Sequence, residues 1–154
     1  MPPAVERAAT LGDAWLASFT TEPETMRNLF DVYRGALPAG KSPEIPMCRE
    51  CFLGASDTDA LEKCRDTLIA KYAAYASWDN AHVAADRPFA DRFDDFRRDR
   101  FLIGDAERMK DEIAWYQEDL GVTTLLLRMN WPGTDFSDSL DSIKRFEAVI
   151  AHFA

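Results

Sequence analysis

Four shortages narrow what this chain can be. No apolar run approaches the ~18 residues needed to span a bilayer, and the opening stretch MPPAVERAATLGD is polar and charged where an export signal would be apolar. Neither membrane insertion nor export is expected, and a cytoplasmic location follows. Basic residues are outnumbered, 18 Lys and Arg against 27 Asp and Glu, giving a net charge of −9. Such a surface repels phosphate backbones, so nucleic acid is not an expected partner. Histidine occurs only at 82 and 152, neither with a nucleophile or acid at a recognised spacing, so no hydrolase triad can be read. Cysteine occurs three times, an odd number that builds no disulfide framework and suits a reducing compartment.

What is present suits a folded domain. Of the 154 residues, 47% are apolar and 29% charged, enough to bury a core without the signature of disorder. No repeat, low-complexity tract or linker divides the chain, so residues 1–154 are expected to form a single α/β unit.

The pattern alternates between helix and strand. Residues 4–12 read as a helix closed by Gly12, and 14–19 (AWLASF) as a short apolar strand. Thr21, with Glu24 three residues on, resembles a capping box. The helix it opens carries Met26, Leu29, Phe30, Tyr33 and Leu37 on one stripe. After a Pro- and Gly-rich loop, 45–53 (IPMCRECFL) is too short for a typical helix and reads as a strand. Residues 57–77 form a long helix with Leu61, Cys64, Leu68, Tyr72 and Tyr75 facing one way. Phe89, Phe93 and Phe96 imply a further short helix. The run DRFDDFRRDR (91–100), with four Asp and four Arg, reads as its solvated face and not as an anion site. Asp105 caps a helix over 106–120 bearing Met109, Ile113, Tyr116 and Leu120, and 122–131 (VTTLLLRMNW) is the clearest strand. Ser137 is expected to cap a last helix with Leu140, Ile143, Phe146, Ile150 and Phe153 inward. Helices of 10–20 residues between short apolar strands predict βα units on a parallel sheet.

The spacing Cys48-Arg49-Glu50-Cys51 invites a zinc or redox reading, and strand geometry argues against both. Residues three apart on a strand point to opposite faces, so the two thiols cannot share an ion or form a relaxed disulfide. A zinc site would need a second ligand pair, and Cys64, His82 and His152 lie at unrelated spacings. A redox pair normally sits at a helix N-terminus, and this one does not. All three cysteines read as core residues, with no metal expected.

The last strand is more informative. Alternation puts Thr124, Leu126, Arg128 and Asn130 on one face and Thr123, Leu125, Leu127, Met129 and Trp131 on the other. In a βα barrel the more apolar set should meet the helices, which turns Arg128 and Asn130 inward near the C-terminal end, where such folds build active sites. A buried guanidinium needs an anion, either a protein carboxylate such as Glu50 or one on a ligand. Of Arg49 and Glu50, one must also face inward, and alternation leaves open which. Trp15 and Ser18 are weaker candidates.

Several segments resemble luciferase-like flavin-dependent monooxygenases. VERAATLGDAWL is similar to their RRAA-x-LGDGW segment, and MCRECFLGASDTDALEKCRDTLIAKYAAYASW to the RE-x-x-VA strand with its helix ending Y-x-x-Y-x-x-W. DRFLIGDAERMKDEIAWYQEDLGVTTLLLRMNWPG is similar to their C-terminal RF-x-x-G…LGV-x-x-L-x-LR-x-x-WPG signature. The order of segments is the family's, and they cover nearly the whole chain. The resemblance implies a partial (β/α)8 barrel of the α/β class, its C-terminal three βα units built on parallel strands 14–19, 45–53 and 122–131. A whole barrel takes ~250 residues, so the chain is expected to be a truncated, split-gene or relic product. The family's reduced FMN is implied as cofactor, delivered by a flavin reductase, with a deazaflavin as the alternative. The substrate is a small organic molecule that is oxygenated. Arg128 and Asn130 are the implied cofactor-binding residues, with Trp15 and Trp131 walling the pocket. No catalytic residue is identified. The expected partner is an N-terminal barrel half or a second copy, and a non-catalytic homodimeric module is the competing function.

Overall fold

Three parallel strands organise the chain: β1 (Pro46–Leu53) in the middle, β2 (Phe101–Gly104) on one side and β3 (Thr124–Arg128) on the other. The computed structural model describes residues 2–18, 21–78 and 87–154. β1 aligns Pro46–Glu50 with Thr124–Arg128 and Glu50–Leu53 with Phe101–Gly104, so only Glu50 has a strand neighbour from both sides. Around them run α1 (Pro2–Leu11), α2 (Pro23–Ala36), α3 (Asp57–Ser77), a 3₁₀ turn (Phe89–Arg92) and α4 (Phe93–Arg100). α5 (Ala106–Glu118), α6 (Phe136–Arg145) and α7 (Glu147–Phe153) complete the order.

Alternation along β1 divides the core in two. Met47, Cys51 and Leu53 join Val5, Met26, Phe30, Tyr33, Met109, Tyr116, Phe146 and Val149, so α1, α2, α5 and α7 cover one face. Phe52 joins Phe101, Ile103, Leu68, Tyr72, Phe89, Phe93, Phe96 and Trp131, so α3 and α4 cover the upper part of the other. The lower part of that second face stays open: Thr124 is exposed and Leu126 is 45% exposed. This is an open three-stranded parallel sheet, as a partial barrel requires. No helix among the described residues is long and apolar enough to cross a membrane.

Three expectations are corrected. Residues 14–19 form no full strand. Ala17 makes one parallel bridge to Met47, its N–H donating to the Pro46 carbonyl at 2.9 Å, and Phe19 lies outside the described residues. β2 takes the upper half of the same β1 edge, so only the lower half is left for that segment. β2 itself, four residues with no room for a visible alternation, was not anticipated as a strand. The last strand is shorter than 122–131, ending at Arg128.

Two helix starts also differ. Glu22 occupies the N-cap of α2 with no side-chain cap bond, and Thr21 is buried instead. Asp135, not Ser137, caps α6, accepting from the N–H groups of Ser137 and Asp138. The stripe expected inside the last helix is largely outside. Phe146 is buried, but Leu140, Ile143, Ile150 and Phe153 are 40–61% exposed, while Ser139 and Ser142 face the core. The starts of α3 and α5 are as read, whereas α1 begins at Pro2 and not at residue 4. Ser56 caps α3 and Asp105 caps α5 by accepting backbone N–H groups, and Gly121 adopts φ 68° just beyond α5.

Candidate functional site

Register builds the site. Because β1 pairs Glu50 with Arg128 on β3, the two side chains lie side by side on one face, and Arg128 Nη1 donates to Glu50 Oε1 at 3.1 Å. That face is the one α3 returns across. Ser56 sets the start of α3, and Ala60, Cys64, Leu68, Lys71 and Tyr72 recur at three- and four-residue spacing on its buried side. Lys71 therefore arrives above the sheet, its ammonium 2.5 Å from the same Glu50 Oε1. Tyr72 Oη adds a longer bond at 3.4 Å. Glu50 Oε2, equally buried, has no hydrogen-bond partner.

Aromatic rings surround the ammonium. Lys71 Nζ lies 5.6 to 5.8 Å from the ring centroids of Trp131, Tyr75 and Tyr72, within cation–π range. Trp131 is held in place by a 2.9 Å bond from Nε1 to Thr67 Oγ1 and an edge contact with Phe52. Burial is the largest influence on Lys71 and lowers its pKa from the usual range, opposed by the bond and charge of Glu50. Burial also works against the Arg128 charge, but Glu50 holds its pKa above the usual value. Burial pushes the Tyr72 phenol far up.

The four residues singled out as cofactor-binding fall in different places. Arg128 and Trp131 meet around Lys71 and Glu50. Asn130 is exposed on the turn into α6 and donates to Ser139 Oγ at 2.9 Å. Trp15 is on the opposite face, packed on Phe30 at 5.5 Å and Tyr33 at 6.0 Å, so the structure does not bring it to the pocket. The reason is the face: Trp15 lies two residues before Ala17, which bridges Met47, and that side of the sheet packs against α2 and away from Glu50.

The open choice between Arg49 and Glu50 resolves to Glu50. Arg49 is fully buried on the α5 side, donating to Tyr116 Oη at 2.9 Å and to the carbonyls of Ser18 and Thr21. It is a structural clamp, and Ser18 serves it through its backbone. Cys51 and Cys64 are buried and Cys48 half-buried, all free, and burial pushes the Cys64 thiol up to about 12. Cys48 and Cys51 lie on opposite faces, as strand geometry demands. His82 lies outside the described residues; His152 is exposed, edge-on to Phe153. Lys71 was missed from the sequence, although a lysine at the centre of the stripe Cys64, Leu68, Tyr72 and Tyr75 was a readable signal.

Among solved structures, monooxygenase RslO1 from Streptomyces bottropensis superposes with a TM-score of 0.72 at 24% identity, over 100% of this chain and 46% of its own. Apo-MsnO8 superposes with a TM-score of 0.64 at 17% identity, over 99% of this chain and 48% of its own. The likeness is one of fold, and the chain spans about half the length of either structure. No curated protein matches it. Residues 1–124, which include β1, β2, α3 and the Glu50–Lys71 pair, match the luciferase-like monooxygenase family. By that match the chain belongs to the luciferase-like monooxygenase family.

Proposed function

We propose that this chain forms the C-terminal part of a flavin-dependent monooxygenase that oxygenates a small organic molecule, with reduced FMN as cofactor. One observation carries the reading: Glu50, Lys71 and Arg128 converge beside Trp131 at the C-terminal end of β3. Functional groups gather at that end in parallel α/β folds. Family members generally use reduced flavin, and the donor set suits such a group. Arg128 and Lys71 are cationic and would meet the negative charge of a reduced ring or of its phosphate. The Arg128 side chain is 33% exposed and so remains accessible. Glu50 Oε2, a buried acceptor with no partner, would receive an N–H donor.

When bound, the reduced flavin supplies the electrons that activate dioxygen for transfer of one oxygen atom to the substrate. The protein side chains hold, orient and shield. Arg128 is the charge-stabilising residue, Glu50 keeps it and Lys71 in place, and Trp131 with Tyr75 flanks the ammonium. Asn130 offers an exposed amide on the adjoining turn. Trp15 has no part in this site. A deazaflavin would meet the same residues. The rest of the cofactor cleft belongs to a further part of the fold, and a reductase would deliver the reduced cofactor.

A fluorescence titration with oxidised and then reduced FMN, following the four tryptophans, tests the reading. Saturable binding in the micromolar range is expected, weakened roughly tenfold or more, about 1.4 kcal/mol, by Arg128→Ala. Binding that ignores Arg128→Ala, or none in either redox state, would remove this cluster from flavin recognition.

A further inference from the structure

A single oxygen of Glu50 accepts all of that carboxylate's hydrogen bonds. Oε1 receives Lys71 Nζ at 2.5 Å, Arg128 Nη1 at 3.1 Å and Tyr72 Oη at 3.4 Å, while Oε2, just as buried, receives none. A carboxylate that has an arginine to itself ordinarily takes the guanidinium as a fork, one N–H to each oxygen, which is the stronger arrangement. Register puts that fork within reach here, because Glu50 and Arg128 are paired residues on adjacent strands with their side chains on one face. The pair nevertheless stays end-on. An idle buried oxygen is costly, so something must hold the carboxylate in this orientation.

Lys71 is placed to do so. Its ammonium is enclosed by the rings of Tyr72, Tyr75 and Trp131. Trp131 is in turn bonded to Thr67, one turn earlier on the same helix, so this ring of aromatics is fixed to α3. A buried ammonium must keep its counterion, and Glu50 is the carboxylate it bonds. With Oε1 held between the two cations, Oε2 reaches neither of them. Two cations share one carboxylate, which leaves the cluster with surplus positive charge. Lys71 is 6% exposed and Arg128 33%, so Arg128 is the residue that presents this charge outward.

We propose that Lys71 is a positioning residue: by holding Glu50 Oε1 it keeps Glu50 and Arg128 from closing into a two-oxygen fork, and so keeps the Arg128 guanidinium presented to an anionic ligand. Lys71 acts through Glu50 and needs no contact with that ligand. Without the ammonium, the carboxylate turns both oxygens to Arg128. The guanidinium is then drawn down onto a wholly buried partner and the surplus charge is gone. What Arg128 meets rests on the flavin reading; how far Arg128 is presented does not.

Phenylglyoxal, a neutral reagent that condenses with accessible guanidinium groups, reads the presentation of Arg128 on the whole chain, with the modified peptide quantified by mass spectrometry. Lys71→Met puts an apolar side chain among the aromatic rings, so circular dichroism should not change, and Arg128 should be modified several-fold more slowly than in the wild type. Adding Glu50→Gln should restore the rate, because an amide has one acceptor oxygen and no charge to draw the guanidinium down. Once Glu50→Gln is in place, Lys71→Met should change nothing further, a comparison that stands even where Lys71→Met alone does not fold. Working in about 1 M salt, where charges are screened within roughly 3 Å, separates presentation from the mere loss of a nearby charge. An unchanged rate in Lys71→Met, a slowing that salt abolishes, or a slowing that persists beside Glu50→Gln would each overturn the proposal. The FMN titration should follow the same order, weaker in Lys71→Met and recovered in the double variant. If Arg128→Ala leaves FMN binding intact while the modification rates behave as expected, the flavin reading fails and the role of Lys71 stands. If Arg128→Ala weakens FMN binding while Lys71→Met leaves the rate unaltered, the reverse holds.

Discussion

At Glu50 Oε1 three donors converge, Lys71 and Tyr72 from α3 and Arg128 from β3, with the carboxylate wholly buried. Removing one partner of a buried ion pair strands the others, which typically costs 3–5 kcal/mol. Glu50→Gln keeps the shape and deletes the charge, so about 3 kcal/mol of stability should be lost in urea unfolding. Adding Lys71→Met should recover part of that loss, because the second change removes a cation that has lost its counterion among Trp131, Tyr72 and Tyr75. Strictly additive losses would mean that the pair is energetically idle. The sequence offers Glu50 as a counterion for Arg128, since both are ionic residues in apolar strands, and register decides that Glu50 and not Arg49 faces it. Lys71 could not be assigned, because a lysine on a helical stripe either snorkels to solvent or finds a buried carboxylate, and only the return of α3 across β1 selects the second.

Among the elements, α6 departs furthest from its pattern. Its apolar periodicity is clear, yet two serines take the buried side. Ser142 gives β1 a hydrogen-bond acceptor for the Leu53 N–H, a group with no strand acceptor there. Ser142→Ala should therefore cost about 2 kcal/mol, the desolvation of an unpaired buried donor. Ser137→Ala should stay within about 0.5 kcal/mol, because Asp135 accepts the cap bonds. Urea midpoints for the two variants distinguish these roles; similar losses would mean that Ser137 helps hold the helix start. The stripe itself was legible, but its direction was not. A stripe identifies a face to be buried and is silent on whether this chain or another one buries it.

Over the whole molecule, one charged group ties three helices together. Glu112 and Arg108 of α5 lie 2.7 Å apart, Arg108 also meets Asp57 of α3, and Asp57 pairs with Arg97 of α4. Burial pushes Glu112 from 4.5 up to about 7, with Arg108 and Arg97 opposing and Asp57 reinforcing. The folded state therefore binds a proton that the unfolded state has released between those values. The stabilising contribution is complete below pH 4.5 and is lost as pH rises through about 7. Unfolding free energies should fall by up to about 3 kcal/mol between pH 5 and pH 8, and Glu112→Gln should flatten that slope. A wild-type slope retained in the variant would assign the dependence elsewhere. Asp59 and Asp135, both held below 3.8, lose their contributions only at lower pH and do not interfere.

The chain pattern by itself determined the α/β alternation, the central strand, the long helix after it, the opposition of Cys48 and Cys51 and the family. Each depends on local periodicity or on ordered segments, and both are written along one dimension. Tertiary structure alone decided which of Arg49 and Glu50 faces Arg128, because that choice depends on strand register and on which helices take which face. It also moved Trp15 away from the site, made a strand of Phe101–Gly104 and turned the α6–α7 stripe outward. The cause is common to all four: a strand forms, or a face is buried, only when a neighbour comes within bonding or packing distance. For Phe101–Gly104 that neighbour is the upper edge of β1, and for Trp15 it is α2.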